Sequence, residues 1–188
     1  MEKVLVLVDL QNDFIDGSLG SAEAQAIVPN IIQKLKNTNL AETLVLFTKD
    51  THYDNYLETF EGKHLPVKHC IENTSGWGIN KEISGLVDNT TRLMYSSTYI
   101  TNSRIYKNTF GSDVLRELLI EHANEIEEIE FCGLCTDICV ISNVLMARQV
   151  LPEINITVDA SCCAGTTPEK HKAALEVMRS CQIEVINE

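Results

Sequence analysis

The sequence is poor in aromatic side chains, which make up 6% of its 188 residues and include a single Trp. Aliphatic residues must therefore supply most of any core, because apolar residues as a whole reach 44%. A chain of this length and composition can bury a sizeable core. It also has the usual size of one domain, and we expect residues 1–188 to form a single domain.

Positive charge is also scarce. Lys and Arg total 15 against 27 Asp and Glu, which gives a formal net charge of −12 at pH 7. A chain with this charge repels polyanions such as nucleic acids and anionic membrane surfaces. We therefore expect neither nucleic acid nor a membrane among its partners.

Long hydrophobic runs are missing as well. The first apolar run, Val4–Val8, ends at Asp9 and is too short for a signal peptide or a membrane span. The seven cysteines are odd in number, and several stand inside apolar runs, which does not fit a disulfide framework. These features predict an intracellular, cytoplasmic protein.

Short apolar runs of strand length recur along the chain. β-Branched and aliphatic residues fill both faces of each run, which is typical of buried parallel strands. The predicted strands are Val4–Val8, Thr43–Thr48, Leu93–Ser96, Ile126–Cys132, Ile154–Val158 and Ile183–Ile186.

Helical patterns separate these runs. The first predicted helix has Pro29 in its first turn and runs to about Asn37. The others are Asn80–Val87, Ser112–Ala123, Asp137–Val150 and Pro168–Cys181. Alternating strands and helices predict a Rossmann-like α/β fold of three layers, α/β/α, with a mostly parallel six-stranded sheet. Ligands in such folds bind beyond the carboxyl ends of the strands.

Three candidate site residues, Asp9, Phe14 and Lys107, stand at or near the expected ligand-binding edge of the sheet. Asp9 ends the first strand, and a carboxylate there either caps the next loop or belongs to a site. Phe14 can be a platform for a small molecule, although a core aromatic is the commoner role. Lys107 precedes a helical pattern, and most lysines are solvated.

The segment after the second strand carries potential metal ligands. Asp50 and His52 form an Asp-x-His pair, which points both side chains to the same side of an extended segment. The loop that follows adds Glu58, Glu61, His64 and His69. Two imidazoles and two carboxylates suit zinc, iron(II) or manganese, and mixed ligation does not choose among them. The simpler alternative is a polar loop that binds nothing.

The segment CGLCTDICV contains Cys132, Cys135 and Cys139. Its CxxC spacing allows zinc binding or redox chemistry. Zinc needs a second pair of ligands, for which the adjacent Cys162 and Cys163 are a poor match, and redox chemistry is disfavoured because a thiol inside a strand, as expected for Cys132, is usually inert packing. A third interpretation has a tight turn after a strand, a helix capped by Thr136, and Cys139 in the first helical turn. There the helix dipole lowers the thiol pKa, and free N–H groups can form an oxyanion hole. The alternative is a small buried residue in a helix.

Five segments, taken in order, resemble the isochorismatase-like cysteine hydrolases, and within them nicotinamidase/pyrazinamidase most. They are VLVLVDLQNDF, TKDTH, LPVKHC, YKNTFGS and CGLCTDICV, and together they span nearly the whole chain. The resemblance implies a catalytic triad of Asp9, Lys107 and Cys139. It also implies an oxyanion hole formed by the N–H groups of Cys135 and Cys139, with a cis peptide bond after Leu134.

The resemblance extends to a metal loop. Asp50, His52 and His69 match the metal ligands of nicotinamidases directly, and Glu61 is the expected fourth ligand, with Glu58 as the runner-up. The implied cofactor is a divalent metal ion, for which zinc is the first choice and iron or manganese the alternatives. The expected substrate contacts are Gln11, Phe14 and Trp77.

The implied activity is hydrolysis of a small amide, with nicotinamide as the first candidate. We expect Lys107 and the helix N-terminus to hold Cys139 as a thiolate, and Asp9 to move the thiol proton to the leaving ammonia. The alternatives are another cysteine amidase or ureide hydrolase of the same superfamily, or a non-catalytic binding protein on this fold. The sequence leaves the formation of a homo-oligomer open.

Overall fold

The computed structural model describes residues 3–87, 92–95, 98–101 and 103–188. Its strands are β1 (Lys3–Val8), β2 (Thr43–Asp50), β3 (Arg92–Tyr95), β4 (Thr98–Thr101), β5 (Arg104–Lys107), β6 (Glu128–Leu134), β7 (Asn155–Ala164) and β8 (Glu184–Ile186). Six of them form one sheet in the order β5-β2-β1-β6-β7-β8, and every neighbouring pair is parallel. β3 and β4 form a separate antiparallel pair.

Helices cover both faces of the sheet. They are α1 (Asn12–Ile15), α2 (Ala22–Asn37), α3 (Phe60–His64), α4 (Lys81–Ser84), α5 (Asp113–Glu121), α6 (Ile141–Val150) and α7 (Pro168–Ser180). Alternate residues of β1 belong to opposite cores, because Val6 packs with residues of α5, α6 and α7 while Leu7 packs with residues of α2 and α4. The predicted three-layer α/β fold is confirmed. No helix within the described ranges combines the length and the apolar content that a membrane span requires.

One predicted strand is wrong. The run Leu93–Ser96 was expected in the parallel sheet, but Leu93–Tyr95 lie in the β3–β4 pair, and Ser96 lies outside the described residues. The sixth strand of the sheet is β5, which stands at its edge and pairs with β2. An edge strand of four residues needs no continuous apolar run, so the apolar pattern did not mark it.

The start of the first predicted helix is also wrong. Helix α2 begins at Ala22, where the Ser21 hydroxyl accepts a hydrogen bond from the Ala24 N–H, and Pro29 lies in the helix interior. Buried residues at Ala24, Ile27, Ile31 and Leu35 keep the helical spacing on both sides of the proline. Burial of this face therefore outweighs the cost of the proline. The helix predicted at Asn80–Val87 is shorter, at Lys81–Ser84.

The ends of neighbouring strands bring the candidate residues together. Asp9 follows β1 with a positive φ of 49°, and Asp50 of β2 pairs in register with Lys107 of β5. Gly133 of β6 has a φ of 128°, and a Cβ there would lie 2.1 Å from the Val8 carbonyl oxygen. Only glycine permits this approach of β6 to β1.

Candidate active site

Asp9, Lys107 and Cys139 form one buried group at the carboxyl ends of the strands. The Lys107 Nζ lies 2.7 Å from Asp9 Oδ2 and 3.4 Å from Cys139 Sγ. The Thr48 hydroxyl donates to Asp9 Oδ1 at 2.7 Å and orients the carboxylate. An ammonium therefore stands between a carboxylate and a thiol, which is the arrangement that the resemblance implies.

Burial controls the protonation of this group. It raises the pKa of the Asp9 carboxyl, and the charge of Lys107 offsets part of that rise. Burial alone would lower the pKa of Lys107, but the negative charge of Asp9 raises it, so Lys107 is a cation. For Cys139, burial and then the charge of Asp9 raise the thiol pKa well above its usual value.

The expectation of a resting thiolate is therefore corrected. The helix dipole and Lys107 both favour the thiolate, but the Cys139 side chain is only 6% exposed and faces Asp9. Burial and Asp9 thus favour the thiol form of Cys139 over the thiolate.

The turn that carries Cys139 starts differently from the predicted helix. Cys135 is the N-cap, and a π-helical turn spans Thr136–Val140 before α6 begins. Thr136 does not cap the helix, because its hydroxyl is hydrogen-bonded to His171 Nδ1 of α7 at 2.8 Å. Contact with α7 thus takes the place of a local cap. The peptide bond between Leu134 and Cys135 is cis, as the resemblance implies.

Hydrogen bonds from Thr166 to Asp137 also fix the turn that carries Cys139. The Asp137 carboxylate accepts hydrogen bonds from the Thr166 N–H and from the Thr166 hydroxyl, both at 2.7 Å. Gly165, which precedes Thr166, has no room for a side chain, because a Cβ there would lie 2.9 Å from Asp137 Oδ1. These contacts, which local sequence patterns do not reveal, tie the turn that carries Cys139 to the end of β7.

Asp50, His52 and His69 form a buried cluster beside the triad. Their ligand atoms all lie within 4.8 Å of one another. Asp50 Oδ2 is 3.0 Å from His52 Nε2 and 3.4 Å from His69 Nε2. The two imidazoles hold the Asp50 carboxyl pKa well below its usual value, against the effect of burial. His69 Nδ1–H donates to the Val67 carbonyl at 2.8 Å, which leaves Nε2 free to bind a metal.

The fourth candidate ligand is Glu61 of α3. Its Oε1 lies 3.6 Å from the Nε2 atoms of both His52 and His69. Tetrahedral ligands about 2.1 Å from zinc stand roughly 3.4 Å apart, so these separations fit a zinc-sized ion. The cluster of Asp50, His52 and His69 includes neither glutamate, but Glu58 is exposed whereas Glu61 approaches both imidazoles. The geometry favours Glu61 over Glu58.

A cavity of about 370 Å³ connects the two groups. Cys139, Asp50, Glu61 and His69 line it. Its apolar wall includes Phe14, Leu65, Phe110, Leu134 and Ile138. The ring of Phe14 lies 5.5 Å from that of His69, between centroids. Sequence patterns did not single out Leu65, Phe110 or Ile138, because an apolar residue in a loop or first helical turn has no local mark of a ligand contact.

Gln11 and Trp77 do not line this cavity, and their expected substrate contact is corrected. Gln11 is completely buried, and its amide is bonded to backbone atoms of Asp50 and Trp77. The Trp77 ring donates to the Thr51 hydroxyl and packs under the Lys49 ammonium, 3.0 Å from the ring centroid. Both side chains therefore contact the end of β2 and the residue after it, without lining the cavity.

The chain belongs to the isochorismatase domain family, whose domain matches residues 3–188. It is thus a hydrolase of this family, and amide hydrolysis is the activity that its relatives support. It is 24% identical to the nicotinamidase of Schizosaccharomyces pombe, over 98% of this chain and 92% of that protein.

Solved structures share the fold over the full length. The crystal structure of the nicotinamidase from Bacillus subtilis has a TM-score of 0.79 and 25% identity, with 100% of both chains covered. The pyrazinamidase of Pyrococcus horikoshii, solved in complex with zinc, has a TM-score of 0.77 and 24% identity, again with 100% of both chains covered.

Proposed function

We propose that the protein hydrolyses nicotinamide to nicotinate and ammonia, with Cys139 as the nucleophile. One observation carries this proposal: Lys107 joins Asp9 to Cys139 at the wall of a cavity that Asp50 and His69 also line. The relatives named nicotinamidase add support, because they match this chain over almost its whole length.

The first step acylates Cys139. Asp9 accepts the thiol proton while the sulfur attacks the amide carbonyl carbon, and a C–S bond forms. Its raised pKa makes the Asp9 carboxylate a stronger base. Lys107 stays a cation and balances the charge as the thiol loses its proton. The N–H groups of Cys135 and Cys139, at the start of the nucleophile turn, donate to the developing oxyanion.

The second step releases ammonia. The C–N bond breaks as the oxyanion collapses, and the Asp9 carboxyl gives its proton to the leaving nitrogen. The products are ammonia and a thioester on Cys139. Water then attacks the thioester and gives one proton to Asp9, the C–S bond breaks, and the Cys139 thiolate that leaves takes that proton and becomes a thiol again. The cycle consumes one water and yields nicotinic acid, whose proton passes to ammonia to leave nicotinate.

The candidate metal ligands would allow the cavity to orient the substrate as well as to hold it beside Cys139. Asp50, His52, His69 and Glu61 would hold a divalent ion, for which zinc is our first choice because the separations of the ligand atoms fit it. When bound, the ion supplies a Lewis acid that can take a pyridine nitrogen and so orient the ring. Phe14 and Phe110 belong to the apolar wall against which the ring would lie.

Ammonia release from a panel of amides tests this proposal. We expect nicotinamide to have the highest kcat/KM, above a carbamoyl amino acid and an acyclic ureide of similar size. A preference for the carbamoyl or ureide substrate would replace nicotinamide by the second candidate activity. Release from none of the amides would favour a non-catalytic binding protein.

A further inference from the structure

Gln11 uses its whole side-chain amide on backbone groups around Asp50. Its Oε1 accepts from the Asp50 N–H at 2.7 Å, and its Nε2 donates to the Asp50 carbonyl at 2.8 Å and to the Trp77 carbonyl at 3.0 Å. The residue is 0% exposed. All three partners are main-chain atoms, so the side chain recognises a position of the backbone rather than a ligand.

The sheet explains why Asp50 needs such a partner. Strand β1 ends at Val8, opposite Thr48, so β2 extends two residues beyond it. In a parallel sheet the N–H and C=O of one residue point to the same neighbouring strand. The Thr51 N–H bonds to Lys107 of β5, and the backbone of Asp50 therefore faces the gap where β1 has ended. The Gln11 amide fills that gap with one donor and one acceptor, as a peptide group would.

The position of Asp50 matters to both parts of the site. Its Oδ2 faces the imidazoles of His52 and His69, while its Oδ1 lies 3.6 Å from Lys107 Nζ. A shift of this backbone therefore moves a candidate metal ligand and changes the surroundings of the Lys107 ammonium together.

We propose that Gln11 is a positioning residue that holds Asp50 for metal binding and for its contact with Lys107. The inference rests on the metal site of the proposed function. In this proposal Gln11 acts by fixing the position of Asp50, and it does not contact the substrate.

The test compares Gln11→Met, which keeps the volume but loses the amide, with Asn12→Ala as a matched control. Asn12 is the neighbouring amide, and it donates to the Ser75 carbonyl away from the cavity. The affinity of each apoprotein for Zn²⁺ is measured by competition with a chromophoric chelator, without substrate. Thermal unfolding of each apoprotein reports the fold, and Gln11→Ala replaces Gln11→Met if the latter does not fold.

We expect the Gln11 variant to bind Zn²⁺ about 10- to 100-fold more weakly than the wild type, as is usual when a partner of a metal ligand is lost. At saturating Zn²⁺ its kcat falls while KM changes little, and Asn12→Ala changes neither affinity nor kcat. A folded Gln11 variant with wild-type Zn²⁺ affinity overturns the proposal, even if its melting temperature is lower. So does a wild-type protein that binds no Zn²⁺. Because the Zn²⁺ affinity is measured without substrate, this deciding result does not depend on whether nicotinamide is hydrolysed.

Discussion

Asp50 Oδ1 lies 3.6 Å from Lys107 Nζ, and this contact joins the candidate metal ligands to the buried group of Asp9, Lys107 and Cys139. Asp9, Asp50 and Glu61 bring three carboxylates to this region, whereas Lys107 is the one ammonium that the described contacts show among them. A divalent cation at His52 and His69 would balance the excess negative charge. The candidate metal site and Cys139 therefore share one electrostatic environment.

The protonation of Cys139 predicts how alkylation depends on pH. Burial and Asp9 raise the thiol pKa, so the thiolate is a minor species at neutral pH and grows as pH rises. We expect the rate of iodoacetamide reaction at Cys139, followed by peptide mass spectrometry, to rise about tenfold per pH unit between roughly pH 6 and 9. A plateau below pH 8 would show a lowered pKa and contradict this account.

Replacement of Lys107 tests its effect on the thiol. The ammonium 3.4 Å from the sulfur lowers the Cys139 pKa against the larger effects of burial and Asp9. Lys107→Ala should therefore slow alkylation of Cys139 at every pH below the pKa, whereas Lys63→Ala, at an exposed position, should leave the rate unchanged. Equal rates in wild type and Lys107→Ala would remove Lys107 from the catalytic group.

The metal site predicts a stoichiometry and an order among glutamates. Elemental analysis of the purified protein should find about one transition-metal ion per chain. His52→Ala should lose it, and Glu61→Ala should lose more of it than Glu58→Ala, because Glu61 lies 3.6 Å from both imidazoles while Glu58 is exposed. Greater loss in Glu58→Ala would keep the site but reject Glu61 as its ligand.

The sequence predicted features that local patterns control and missed those that tertiary contacts decide. The apolar runs at Val4–Val8 and Ile154–Val158 marked strands, because buried parallel strands are apolar on both faces. The edge strand β5 carries no such pattern. The local helix dipole suggested a low pKa for Cys139, but the opposing effect of burial appears only in the folded chain. Gln11 also contacts Asp50, from which it is 39 residues away in the sequence, and no local pattern predicts such a contact.

The close approach of β6 to β1 predicts a matched pair of glycine variants. Gly133→Ala places a Cβ 2.1 Å from the Val8 carbonyl oxygen at a φ of 128°. We expect a loss of about 3 kcal/mol or more in the free energy of unfolding, measured with denaturant. In Gly111→Ala the nearest atom to the new Cβ is 3.8 Å away, and the change should stay within about 0.5 kcal/mol. Equal effects of the two variants would contradict the assigned approach.

Ammonia release from nicotinamide by wild type, Cys139→Ala and Cys132→Ala tests the central claim most directly. Cys132 is a matched control because it is also buried but packs in the core on the α2 side of the sheet. We predict that Cys139→Ala stays folded and loses at least about 10³-fold in kcat. Cys132→Ala should lose about 1 kcal/mol of stability and keep most of its turnover. Ammonia release by Cys139→Ala at the wild-type rate would contradict the assignment of Cys139 as the nucleophile.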